Sequence, residues 1–355
     1  MMVPVVFMVI CAIGFYFSGL SFEFIFDEMF FRMSRNLVLV ASLIIPVISG
    51  LGLNFGIVIG AMAGQIGLLF IANYGFGGMT GILVAMLFSI PFAVVLGYLV
   101  GLVLNRAKGK EMITSMILGF FANGIYQLIF IIMAGRIIPF SNKNLLVNTG
   151  QGLKNTIDLL PIRKAFDNFL FGDLTRYPIA PLIFAALLFF LIKLFFRTKL
   201  GQDMRAIGQN MHVASVAGID VDKTRIKAIV MSTILAAWGQ IIYLQNLGTF
   251  NTFTNHEQVG LFSVAALLIG GASVDKATWK EAVLGTFLFH LLFIVSPQAG
   301  QTLMGDAQIG EYFRVFIAYG VIGFALILHA MDKRKEIEKM DRLEFDSNIN
   351  KNKVV

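Results

Sequence analysis

"SGLGLNFGIVIGAMAGQIG", residues 49–67, sets Gly50, Gly52, Gly56, Gly60 and Gly64 into a stretch that is otherwise almost wholly apolar. Each Gly inside a helix costs about 1 kcal/mol relative to Ala, so the run needs a reason. Two reasons fit, on different residues. Gly56, Gly60 and Gly64 recur every four positions, which puts a smooth strip on one helix face and lets a neighbouring helix approach closely inside a bilayer. Gly50-Leu51-Gly52, just ahead of Asn54, reads as a helix break, where unwound backbone lines a polar cavity. Both readings require a membrane setting.

Composition supplies that setting. Of the 355 residues, 57% are hydrophobic and 14% charged, with a mean hydropathy of +0.80, whereas a soluble domain carries about 25% charged residues. The chain is an integral membrane protein whose unit is the transmembrane helix, about 20 residues across a hydrocarbon core of about 30 Å. Apolar spans are predicted at roughly 3–19, 38–52, 54–74, 78–104, 112–135, 178–197, 226–248, 259–273, 281–296 and 313–331. The expected fold is all-α, a polytopic helical bundle of about ten membrane segments over 1–331, followed by a charged tail, 332–355. Polar connections are expected at 20–37 (Glu23, Asp27, Glu28, Arg32, Arg35), 105–111, 136–177 and 198–225. The opening "MMVPVVFMVICAIGFYFSGL" lacks a basic start and an A-x-A-like cleavage site, so it reads as a retained first span. Cys11 is the lone cysteine, which excludes a disulfide framework and a cysteine-based metal site.

Basic connections stay in the cytoplasm. With 105–111, 198–225, 274–280, their flanks and the tail inside, that side holds 19 of the 28 Lys and Arg and 12 of the 21 Asp and Glu. The whole net charge of +7 then falls on the cytoplasmic face, and both termini lie inside. The 136–177 connection is extracytoplasmic in this topology. Its Leu159-Leu160 and Phe169-Leu170-Phe171 read either as short interfacial helices where a partner docks or as anchors of a solvated connection.

The cytoplasmic stretch 198–225 is polar in a greasy chain. Asn210 is a good N-cap and Gly218 a good C-terminal stop, bracketing a helix of about two turns that is too short to stand alone in water. Ala214, Ser215 and Ala217 give it a face that another protein can approach, while Arg205, Lys223 and Arg225 keep it inside. Spacing alone leaves two readings open: a docking knob, or an ordinary interhelical loop.

"TKLGQDMRAIGQNMHVASVAGIDVDKTRIK", Thr198 to Lys227, resembles the cytoplasmic signature of permease subunits from ABC importers of the ribose, simple-sugar and nucleoside group, related to the branched-chain amino acid permeases. Thr198, Gly201, Arg205, Ala206, Gly208, Asn210, Ala214, Gly218 and Ile219 match it, and Met211 stands where Pro or Glu is frequent. "GLGLNFGIVIGAMAG" (50–64) resembles the "GIDLSVG" region of the sugar permeases, with Asn54 in place of the usual Asp. "SVAALLIGGASVDKATWKEAVLGT" (263–286) keeps the family's Gly270, Gly271, Ser273 and Gly285-Thr286, but departs from its Gly-rich turn at 275–278. The resemblance implies a type II ABC importer-like bundle that pairs with a second permease subunit, as homodimer or heterodimer. It also implies a cytoplasmic ATPase subunit held through the short helix, with Arg205, Gly208, Asn210, Ala214, Ala217 and Gly218 as coupling residues. An extracytoplasmic solute-binding protein completes the set. No cofactor is expected in this chain, ATP being held by the partner.

The residues agree with a transport role. There is no G-x-x-x-x-G-K-[ST] phosphate loop, and His212, His256, His290 and His329 lack paired metal-ligand spacing. Neither a catalytic nor a metal site is expected, and the basic residues are too few and too mixed in sign for nucleic acid. Charges in a membrane are costly, so amides are the expected pathway lining: Asn54, which follows the suspected break, Gln65, Asn73, Asn123, Gln127, Gln240 and Asn246, each with the alternative of an interhelical hydrogen bond that holds the bundle together. The expected cargo is a simple sugar or nucleoside. Alternatives are a branched-chain amino acid, or an ion-coupled transporter working alone, which would carry a mid-membrane carboxylate; no such carboxylate is evident between the spans.

Overall fold

The computed structural model describes residues 2–170, 177–324, 327 and 331; the charged tail 332–355 lies outside them. The helices are α1 (Met2–Ser18), α2 (Phe22–Ser42), α3 (Ile44–Ile48), α4 (Ile57–Tyr74), α5 (Gly78–Arg106), α6 (Glu111–Leu128), α7 (Ile179–Phe195), α8 (Lys199–Gln209), α9 (Met211–Val216), α10 (Val221–Leu247), α11 (Glu257–Ile269) and α12 (Trp279–Met304). Residues 307–324 form a further helix, α13. Among the described residues six helical segments are long and apolar enough to cross a bilayer, and the pair α7 and α8, bent by 79°, makes a seventh. Two shorter apolar helices, α1 and α11, accompany them. The chain is a multi-pass helical membrane protein.

The stretch expected to be a polar connection at 20–37 is instead the first half of a helical segment, Phe22–Ile48. Its charges fall at helical spacing. Ser21 caps α2 by accepting the Phe24 N–H, Arg32 Nε donates to Glu28 one turn away at 3.2 Å, and Tyr177 Oη donates to Asp27 at 2.9 Å. Polar composition breaks hydropathy windows without breaking a helix whose polar groups are paired.

Helix α10 is the axis, packed against α2, α4 and α5. Gly60 and Gly64 of α4 turn toward it: a Cβ on Gly60 would stand 2.6 Å from Ala236 Cβ, and one on Gly64 would run into the Ala237 carbonyl. Between α3 and α4 the helix is interrupted as expected, with Gly50 and Gly52 in the left-handed region at φ 71° and 67°. Asn54 Oδ1 accepts the Gly56 N–H at 2.9 Å, and Ser115 Oγ of α6 accepts the Phe55 N–H at 3.1 Å. Freed backbone donors at the break thereby find partners, as a bilayer demands.

The described part of the 136–177 connection folds over one end of the bundle. Strand β1 (Thr156–Asp158) pairs antiparallel with β2 (Thr249–Asn251), with Ile157 opposite Phe250. Its Leu146, Leu153, Ile157, Leu159, Ile162 and Phe166 join Leu69, Ile82 and Ile241 in one buried cluster, whereas Leu160, Phe169 and Leu170 stay exposed. Residues 171–176, including Phe171, lie outside the described residues. Because α4 and α10 touch at Gly64, Gly64→Leu is expected to lower the thermal unfolding midpoint in detergent, by an overpacking cost of about 1–3 kcal/mol. Gly320→Leu, where a Cβ meets nothing within 4 Å, leaves the midpoint nearly unchanged.

Candidate functional site

The 198–225 segment builds two short helices on the face that carries the ends of α3, α6 and α10. Thr198 Oγ1 accepts the Gly201 N–H to start α8, and Asn210 Oδ1 accepts the Val213 N–H at 3.0 Å to start α9. Gly218, at φ 85°, follows the end of α9 in the left-handed region that L-residues avoid. Ala214 is buried, so α9 presents His212, Val213, Val216 and Ala217 outward, with Val213 61% and Val216 77% exposed. Arg205 is exposed on α8, its guanidinium 5.8 Å from the centre of the Phe196 ring. Asp220 caps α10 by accepting the Lys223 N–H; the Lys223 ammonium holds its carboxyl below the usual range.

This segment is seated on the helix break. A Cβ on Gly50 would stand 2.9 Å from Gly208 Cα, and one on Gly208 would overlap the Ile48 carbonyl. The two backbones touch, which only Gly allows at such a crossing. Beneath α9, Arg225 is fully buried; its Nη2 donates to Glu111 Oε1 of α6 at 2.6 Å and its Nη1 donates to Met211 Sδ. Read from the sequence as a topology charge, Arg225 joins α6, α9 and α10.

Three predicted pathway residues come together at the junction of α4, α6 and α11. Gln65 Oε1 meets Tyr126 Oη at 2.9 Å and His256 Nδ1 at 3.0 Å. His256 Nε2 meets Asn123 Oδ1 at 2.8 Å, the Gln127 amide donates to the same oxygen at 3.2 Å, and Asn123 Nδ2 donates to Glu257 Oε1 at 2.6 Å. The Asn123 donor is committed to the carboxylate, so its Oδ1 requires a proton on His256 Nε2. For a neutral ring, Gln65 must then turn its amide N–H toward Nδ1. In either orientation one end of the Gln65 amide, which is 0% exposed, is left without a partner.

The other candidates lie elsewhere. Asn54 is spent on the break. Gln240 is buried in α10 with neither amide atom paired, and Asn73 accepts the Asn142 N–H. Asn246 belongs to a cluster at the far end: it and Gln245 donate to Asp167 at 2.6 and 2.7 Å, and Arg35 donates to Asn246 at 3.4 Å. Burial pushes the Asp167 carboxyl above the usual range despite these bonds.

Tyr126, His256 and Glu257 were missed. His256 is separated from Gln65 by 191 residues and from Asn123 by 133, and pairing over that distance leaves no local pattern. The available signal was the position of Glu257 at the head of an apolar run: it stands in the first turn of α11, whose 13 residues are too few to cross a bilayer alone. Among the described residues no group of three or more His, Cys, Asp or Glu is placed to hold a metal ion.

Discontinuous helices around a buried polar cluster are an architecture of membrane transport proteins. The chain belongs to the family described as branched-chain amino acid transport system / permease component, which matches residues 26–327. It is similar to the xylose/arabinose import permease protein XylH of Sulfolobus acidocaldarius, 27% identical over 253 residues that cover 71% of this chain and 62% of the relative. It is similar also to the xylose transport system permease protein XylH of Haemophilus influenzae, 26% identical over 167 residues, 47% of this chain and 43% of the relative. A third relative is the nucleoside ABC transporter permease protein NupC of Lactococcus lactis, 30% identical over 138 residues, 38% of this chain and 41% of the relative. The chain thus spans about half the length of the curated relatives it matches. No solved structure matches it.

Removing the carboxylate of the Glu111–Arg225 pair strands a buried guanidinium. Glu111→Ala is expected to cost about 3–5 kcal/mol, whereas the double variant Glu111→Leu with Arg225→Met recovers most of that loss. Thermal unfolding of the purified single and double variants in detergent reads the difference.

Proposed function

We propose that this chain is the membrane-spanning permease subunit of an ATP-driven ABC importer, forming the pathway for a simple sugar or a nucleoside. The observation that carries the reading is the seating of α8 and α9 on the break between α3 and α4, through Gly208 and Gly50. A short helix with two exposed Val residues needs a protein against it, and its neighbour's backbone lies on the one place where the adjacent span is already unwound. Closure of an ATPase partner against Val213 and Val216 moves α8. Gly208 then carries the displacement to Gly50, and the bundle shifts between outward-open and inward-open packings.

In this reading the basic face is cytoplasmic, both termini lie on that side, and the bundle completes about ten membrane segments when α1, α7, α11 and α13 are counted with the longer spans. A cytoplasmic ATPase subunit, a second permease subunit and an extracytoplasmic solute-binding protein are the partners, the last docking on the 136–177 cap. ATP is bound and hydrolysed on the partner, and this chain supplies no catalytic group. Sugar and nucleoside cargo is supported by the names of the relatives; a branched-chain amino acid is supported by the family description alone.

The test is co-purification of the chain with its genomic neighbours. Val213→Asp with Val216→Asp reduces recovery of an associated ATPase at least about tenfold, because a charge in an apolar contact costs more than the contact is worth, while the permease stays folded. Absence of any ATPase with the wild-type chain, together with uptake that persists without ATP, rejects the importer reading.

A further inference from the structure

We propose that Glu257, with the Asn123 and Gln127 amides beside it, reads the hydroxyl groups of an uncharged, hydroxyl-rich solute partway across the membrane. The inference rests on the importer reading and deepens it by naming the group that discriminates.

Depth comes first. Asn123 lies twelve residues from the start of α6 and Glu257 twelve from the end of α11, which at a rise of 1.5 Å puts both about 18 Å from the face bearing α8 and α9. At that level Glu257, Gln258 and Thr254 are exposed, and residues 252–256 are not helical. Neither an exposed carboxylate nor unwound backbone is tolerated against hydrocarbon; both occur where protein lines a wet cavity. The Glu257 side of the cluster therefore faces the passage, while Ile117, Phe120 and Phe121 on α6 are the apolar surface around it.

Chemistry selects the solute. The Glu257 carboxylate is stabilised by the Asn123 amide at 2.6 Å and by its place in the first turn of α11, where the helix dipole favours an anion. A carboxylate so held is a fixed acceptor for hydroxyl hydrogens. Oε1 holds Asn123, while Oε2 has no hydrogen-bond partner among the described residues and Glu257 is exposed. Asn123 is bonded to His256, His256 to Gln65 and Gln65 to Tyr126, so the reading group rests on a hydrogen-bonded series extending into the core. His256 is a positioning residue in this scheme. The unpaired end of the buried Gln65 amide marks the same junction as short of one polar partner, which a water or a solute hydroxyl supplies.

A site built to accept a hydroxyl rejects the analogue that lacks it. The test uses the complete importer with its binding protein in vesicles. It compares the transport rates of D-xylose, D-ribose and uridine with those of their mono-deoxy analogues, at saturating binding protein. In the wild type at least one deoxy analogue is carried about tenfold more slowly than its parent, the size of one hydrogen bond to an ionised acceptor. That ratio falls to about one in Glu257→Gln and in Asn123→Leu, and is retained in Glu257→Asp, which keeps the carboxylate and serves if the glutamine variant is poorly inserted. An unchanged ratio in Glu257→Gln and Asn123→Leu, with ATP-dependent transport intact, overturns the proposal and leaves the importer reading standing. Absence of ATP-dependent uptake of any of these solutes by the wild type overturns both.

Discussion

The arrangement depends on the crossing of two backbones at Gly50 and Gly208. A bilayer interior forbids unpaired peptide groups, so a helix can be interrupted only where something else satisfies and supports the gap. Here the Asn54 side chain, Ser115 of α6 and the close backbone of α8 do so. With a Cβ at either Gly the surface helices would lift from the break, and a push on α9 would no longer reach the membrane domain. In the proposed importer that one contact is the transmission.

Stability around the crossing comes from the axis. α10 is held by small residues that let α4 and α5 approach, since lipid offers no hydrophobic drive between helices and close packing has to replace it. At the α9 end, Arg225 and Glu111 sit together out of water. Such a pair is weak evidence for stability but specifies geometry: it sets the register of α6 against α10 and, through Met211, the seat of α9. The same α6 carries Asn123 and Gln127 farther along, so the buried pair beneath α9 and the polar cluster share one helix.

The second interruption, at 252–256, complements the first. α11 starts after it, with Glu257 in its positive first turn and His256 just ahead of it. Two breaks, one under the surface helices and one beside the polar cluster, both flank α4. In the proposed importer a displacement at Gly50 is delivered to the helix that holds Gln65.

The amino-acid sequence by itself determined the membrane class, the edges of most spans to within a few residues, the break at Gly50–Gly52 and the caps at Asn210 and Gly218. All of these follow from local physics: hydropathy, glycine conformation and side-chain capping act over a few residues. It misread 20–37, because pairs such as Glu28–Arg32 make a charged helix look like a connection, and it did not show the core that Leu153, Ile157 and Phe166 build against distant helices, because such a core has no local period. Only the tertiary structure decided that Gly208 rests on Gly50, that Ala214 turns inward while Val213 and Val216 face out, and that Gln65, Asn123, His256 and Glu257 meet. Those pairings join residues up to 191 positions apart, and nothing in the neighbourhood of either residue encodes its partner; the helix packing chooses it.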